Sequence, residues 1–471
     1  MKENKTKVLP LLNQICYSLG SLAFTLLERM IILYAVFYFL PPKELGLHNL
    51  VSDRTFFGVI TITGAALLLG RILDGLADPV IATLSDNSRS RIGRRKVFLL
   101  YSALPLALTT FLVFTPPQPG QESLLNGIWL ALMMGLFYIA FTAYVNPYLA
   151  LMSELGHTPE LRINISTFMA LFGLLGMVCI TILFPQITTF LENSGMGMRR
   201  AYQFAICGFS IFSCIILYLI TLSFDEKKHC LPSRPSDMGV LKSFAKTFAV
   251  RPFRIFLAGE VFLQFALNIV TLGLMYYAVV IFKQPQSFMT VLAGLTIGVA
   301  LLSFPLVNIV SKKIGKKKVI MGGLLVLGIA TIVIFPLSFN MTPVAHYIAL
   351  AMIGLCGLPL AILSILINPT VGDLARADHA RTGESREAMF FGARAIPLKI
   401  TIALAGVTFT YLLSAFGKDI ANPLGVQLSI LVIALASLAG FIAFSRYPEK
   451  QVQEWLEQAP DTPDARTSAE K

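Results

Sequence analysis

The chain has 471 residues, 55% of them hydrophobic and only 14% charged, with a formal net charge of +12. Soluble domains carry about 25% charged residues, so a soluble protein is excluded and a chain that crosses a bilayer many times is indicated. Nucleic-acid binding is excluded as well, because the Lys and Arg residues fall in short loops between apolar runs.

A helical crossing takes about 20 mainly apolar residues. In chain order the runs predict spans near 13–40, 56–82, 97–115, 126–152, 165–188 and 201–223. After a polar connection at 224–252, six more follow near 253–281, 287–310, 319–338, 343–367, 389–416 and 424–446. The expected architecture is an all-α polytopic membrane protein, with twelve transmembrane helices in two pseudo-symmetric six-helix halves, 1–223 and 253–446. Residues 224–252 form a linker, and 447–471 read as a polar, mobile tail. The first apolar run is too long for the core of a cleavable signal peptide.

Twelve spans leave both termini on one side. That side carries 28 Lys and Arg residues, against six on the other. Positive charge is retained in the cytoplasm, so both termini are expected to be cytoplasmic, in the plasma membrane (the inner membrane of a bacterium). The halves repeat each other. Arg91-Ile92-Gly93-Arg94-Arg95-Lys96-Val97 after the second span matches Lys313-Ile314-Gly315-Lys316-Lys317-Lys318-Val319 after the eighth. Asn146-Pro147 at the end of the fourth span matches Asn368-Pro369 at the end of the tenth, and each pair lies 53 residues after its glycine. A duplicated six-span unit is the organisation of a carrier that holds its substrate between the halves. The six cysteines are scattered without metal-ligand or redox spacing.

The chemistry concentrates in the second span, at Arg71-Ile72-Leu73-Asp74-Gly75-Leu76-Ala77-Asp78-Pro79. Asp74 and Asp78 are four apart and Arg71 precedes the first by three, so all three share a helix face. An ionised carboxylate at bilayer depth costs about 2.5–3.5 kcal/mol. One arginine neutralises only one of the two, and the charge left over calls for a cation, Na⁺ or H⁺. The competing reading is a buried brace in which Arg71 simply pairs with an aspartate.

These residues resemble the major facilitator superfamily, and within it the glycoside–pentoside–hexuronide:cation symporters that carry melibiose with sodium. The resemblance covers nearly the whole chain and is sharpest in R-x-x-D-x-x-x-D-P, present as Arg71, Asp74, Asp78 and Pro79. The eleventh-span approach Gly383-Glu384-Ser385-Arg386-Glu387 and the intramembrane Lys399 also resemble this family. The resemblance implies a major facilitator fold working by alternating access, with Asp74, Asp78 and Thr142 holding Na⁺ and Lys399 in the substrate cavity. The sugar half of the pattern is eroded: Val145 stands for a fourth-span aspartate, Leu149 for a tryptophan and Thr25 for a first-span aspartate, and Met169 lies where an arginine is expected. A sugar or glycoside is thus the substrate class by family, with a lysolipid or other amphiphile as the alternative.

Thr25, Glu28, Arg29, Asn146, Tyr148, Arg394 and Lys399 are the candidate cavity residues. For Glu28, Arg29 and Arg394 the bland alternative is interhelical ion pairing. Glu260, Gln264 and Asn268, four apart, share a face, and Gln264 and Asn268 more simply pair with neighbouring helices. In the basic loops, Asp86 with Arg91, Arg94 and Arg95, and Lys316 and Lys317 in the second half, are candidates for a cytoplasmic gate. Two other functions compete with a symporter. A diphosphate-processing membrane enzyme would need a second acidic cluster, which 305–311 lacks; a proton-driven exporter shares the fold. The expected partners are a small-molecule substrate, a coupling cation and the bilayer, with no enzyme activity, no cofactor and a monomeric state.

Overall fold

A computed structural model describes residues 10–56, 60–155, 159–226, 246–382 and 387–457. The linker residues 227–245, the 383–386 stretch and the end of the tail lie outside them. With no water to satisfy the backbone inside a bilayer, apolar runs close their own hydrogen bonds as helices. They do so in α1 (Leu11–Ser18), α2 (Gly20–Phe39), α3 (Ile62–Asn87), α4 (Lys96–Val113), α5 (Leu124–Leu155), α6 (Pro159–Val178), α7 (Phe184–Asn193) and α8 (Met198–Ser223). The second half supplies α9 (Arg251–Tyr276), α10 (Met289–Ile314), α11 (Lys316–Leu337), α12 (Pro343–Leu355), α13 (Gly357–Thr382), α14 (Glu387–Phe416), α15 (Leu424–Ser445) and α16 (Glu449–Glu457).

Among the described residues, eleven helical stretches are long and apolar enough to cross a membrane. α3 is the twelfth long helix. It falls outside that group because every 18-residue stretch of it contains Arg71, Asp74 and Asp78. α8 shows what a bilayer asks of a helix surface. Phe204, Ile211, Ile215, Leu219 and Leu222 lie exposed along one side, while Tyr202, Ser210, Ser213 and Thr221 are buried on the other. The apolar stripe faces outward, the reverse of a soluble helix.

Three sequence expectations are corrected. The second span starts at Ile62, not near residue 56. Thr55–Phe56 and Ile60–Thr61 (β1 and β2) pair as an antiparallel hairpin, and the Thr61 hydroxyl caps α3 by accepting the Gly64 N–H at 2.9 Å. The Asn-Pro pairs do not end their helices: α5 runs on to Leu155 and α13 to Thr382, because a proline costs only one backbone bond that neighbouring groups make good. Part of the tail is ordered. α16 buries Val452 and stacks Trp455 under Arg381, 5.2 Å from its ring centre.

The described contacts gather into two compact units. The first comprises 1–236, 268–294 and 402–429; the second comprises 237–267, 295–401 and 430–471. In the first, α3 and α5 pack along much of their length. The approach depends on Gly70, where an added Cβ would come within 2.7 Å of the Tyr138 ring. In the second, α11 packs against α12 and α13, and Phe256 meets Phe444 edge-on at 5.7 Å.

Candidate cation and substrate site

The chain returns through α4 between α3 and α5, so α3 and α5 run parallel and equal four-residue steps stay in register. Two polar rungs result. The Thr142 hydroxyl donates to Asp74 Oδ1 at 2.6 Å, and Asn146 Nδ2 donates to Asp78 Oδ1 at 3.0 Å. Each aspartate meets a partner 68 residues further on. Asp74 is 2% exposed and Asp78 half-buried. The set offers carboxylate, hydroxyl and amide oxygens, hard donors that suit an alkali cation. Among the described residues no group of three or more His, Cys, Asp and Glu is placed to hold a metal.

Arg71, 7% exposed, is shared between two acids. Its Nη1 lies 3.4 Å from Asp74 Oδ2, and its Nη2 lies 3.7 Å from Glu28 Oε1. The guanidinium lies over the Tyr138 ring at 4.4 Å, a contact that stabilises a buried cation by about 2 kcal/mol. A small cavity of about 20 Å³ opens beside it, lined by Arg71, Tyr138, Asn268, Leu272, Ile402 and Gly406 among others. Arg29 is half-buried near the same tyrosine.

The remaining cavity candidates are dispersed. Asn146 belongs to the aspartate rung. Tyr148, expected in the cavity, is instead fully buried: its ring stacks on Tyr17 at 4.6 Å and its hydroxyl donates to the Tyr17 carbonyl at 2.9 Å. The reason is its position facing α1 across a tight, all-aromatic contact. Thr25 lies against α6 at Gly173 and Gly176. In the second unit Arg394 forks onto the fully buried Glu260, with Nε 2.8 Å from both oxygens, and donates to Asn368 Oδ1 at 2.8 Å. That is the ion-paired alternative for Arg394. Lys399 lies half-buried further along α14.

The basic loops are tied down by four acids that sequence reasoning missed. Arg94 pairs with Glu154 through its side chain, and Arg95 Nη1 lies 3.1 Å from the same acid. Asp86 meets Arg95 at 2.8 Å rather than Arg94, which Glu154 holds; Arg91 is exposed. Glu226 accepts the N–H groups of Arg94, Arg95 and Lys96 at 2.9, 3.1 and 2.8 Å, placing a carboxylate on the positive N-terminal end of α4. The second unit repeats the device. Lys316 pairs with Asp373, Glu449 accepts the Lys317 N–H at 3.0 Å, and the Lys317 ammonium donates to the Ser445 and Tyr447 carbonyls at 2.7 and 2.8 Å. Gly93 (φ 132°) and Gly315 (φ 90°) make both turns possible, since a Cβ would meet Glu226 at 2.4 Å and Glu449 at 2.9 Å. The available signal was an acid repeated just after the sixth and the twelfth spans.

At the opposite helix ends of the first unit, two loops interlock. Lys43 lies 3.1 Å from Asp419 Oδ2, and Lys418 donates to Asn49 Oδ1 at 2.9 Å with Asp53 at 3.5 Å. Lys418 is 4% exposed; burial pulls its ammonium below the usual lysine range, against the opposing pull of Asp53 and Asp419.

Long lipid-facing helices with paired charges buried among them define a multi-pass membrane protein. The chain belongs to the MFS/sugar transport protein family, whose model matches residues 16–448. It is 22% identical over 297 residues to the inner membrane symporter YicJ of Escherichia coli (strain K12), covering 62% of this chain and 60% of that protein. It is 23% identical over 421 residues to a putative 2,3-dihydroxypropane-1-sulfonate exporter of the same strain, covering 87% and 84% respectively. The match thus spans less than two thirds of the symporter's length. The fold is similar to that of the nucleoside transporter NupG, with a TM-score of 0.64 at 13% identity over 93% of this chain and 98% of that one. These relatives are named as transporters, a symporter and an exporter, and not as enzymes.

Proposed function

We propose that this chain is a cation-coupled secondary symporter, driven by Na⁺ or H⁺, that carries a small organic solute by alternating access. The sugar or glycoside class is the substrate assigned by family. The observation that carries the reading is the pair of rungs: two carboxylates one turn apart in α3, each already met by an oxygen-bearing partner from α5. Such carboxylates repel each other while no counter-ion stands between them. A Na⁺ between them relieves the repulsion and recruits the Thr142 hydroxyl and the Asn146 amide oxygen as further ligands. Cation binding thereby ties α3 to α5, and α3 also carries Arg71 beside the solute cavity. By linkage, the solute tightens cation binding by the same factor.

The orientation with both termini in the cytoplasm of a plasma membrane, and action as a monomer, complete the proposal. The test is uptake against a gradient with Na⁺ or pH as the only driving force. Asp74→Asn and Asp78→Asn should each abolish accumulation while leaving a folded protein. Unchanged accumulation in both variants would return the aspartates to a bracing role.

A further inference from the structure

Four arginines of the first unit, Arg29, Arg71, Arg95 and Arg199, keep a buried guanidinium nitrogen with no hydrogen-bond partner, and the first two lie inside the membrane-spanning helices. Arg71 Nη2 and Arg29 Nε are shielded from solvent and have no hydrogen-bond acceptor. The nearest acid to Arg71 Nη2, Glu28, stands at 3.7 Å, outside hydrogen-bond distance. Leaving a buried charged donor unsatisfied costs more than the 1–3 kcal/mol or so of a neutral one. Buried polar atoms that stay unpaired call for a ligand, an ion or a water. Arg71 borders the cavity and is held over the face of Tyr138. Arg29 lies one helical turn before Ile32, which lines the same cavity.

We infer that Arg29 and Arg71 form the seat for an acid group of the transported solute: a carboxylate, sulfonate or phosphate monoester. This rests on the cation-coupled reading above. Before loading, Glu28 and Asp74 balance the two arginines. A cation held by Asp74 and Asp78 draws Asp74 away from Arg71. Three carboxylates then face three positive charges, Na⁺ and the two arginines, while Arg71 Nη2 and Arg29 Nε still lack acceptors. An acid oxygen supplies the missing acceptors, and a guanidinium binds such groups with paired, charge-assisted hydrogen bonds. A neutral hydroxyl supplies an acceptor but no charge. The cavity, about 20 Å³ in this arrangement, has room for an oxygen atom of the solute beside Arg71. Arg71 is thus the coupling residue, handed from Asp74 to the solute when the cation arrives.

The test uses purified protein in lipid nanodiscs with Na⁺ present, at matched ionic strength. Binding is measured for two probe pairs that differ in charge: lactate against lactamide, and methanesulfonate against dimethyl sulfone. The acid members should bind and their neutral partners should not, and removing Na⁺ should weaken acid binding at least ten-fold. Arg29→Gln should weaken it ten-fold or more while retaining Na⁺ binding measured without any solute, and Arg29→Lys should restore part of the loss. Equal binding of both members of each pair, no binding by either acid, or full acid binding in Arg29→Gln would overturn the seat; a water then fills it. Na⁺ binding that is normal in such a case leaves the cation site standing. Loss of Na⁺ binding in the unmutated protein sinks the cation reading instead.

Discussion

Asp74 illustrates how one carboxylate serves two partners. It accepts from Thr142 at 2.6 Å on one oxygen and faces Arg71 at 3.4 Å on the other, so any change at Thr142 is felt at a charge. A hydrogen bond to a charged group is worth about 1.5–3 kcal/mol, and each 1.4 kcal/mol or so is a factor of ten in affinity. Thr142→Val keeps the shape of the side chain and removes the hydroxyl. It should weaken Na⁺ binding about ten-fold or more and, because the same hydroxyl bonds Asp74 in the ion-free protein, lower thermal stability as well. The comparison is Na⁺ titration of both proteins; equal affinities would exclude Thr142 from the ligand set.

At the scale of elements, the repeated turn after the second and eighth spans does more than carry positive charge. Each begins with a glycine in a conformation that side chains rarely adopt, and each presents its N–H groups to an acid from the end of its own half. Gly93→Ala meets two penalties, the φ of 132° and the Glu226 carboxylate at 2.4 Å. Backbone strain of this kind costs about 1–3 kcal/mol. Gly93→Ala should therefore lower the unfolding temperature in detergent clearly more than Glu226→Gln, which keeps an acceptor and loses only its charge on the α4 N-terminus, about 0.3–1 kcal/mol. If the two variants unfolded together, the turn would be a topological signal alone.

For the whole molecule, the expected orientation rests on the balance of 28 Lys and Arg residues on one side against six on the other. A reporter fused after Lys471 should read cytoplasmic, and an extracellular signal would invert every assignment of side. Most of this architecture was legible in the chain alone. The span count and the duplication follow from apolar run length and from two motifs at equal separation. Arg71, Asp74 and Asp78 stood out because charge is costly in a bilayer whatever surrounds it. Tertiary structure alone decided which partners those charges have. That Asn146 joins Asp78, Tyr148 closes on Tyr17, Arg394 is taken by Glu260, and Glu226 and Glu449 bind the basic turns depends on contacts between residues far apart in sequence. The physical reason is one of range. Hydropathy is a property of each residue against its solvent, and it sums along the chain. A hydrogen bond or ion pair depends on a few ångströms between helices, and helix packing sets that distance.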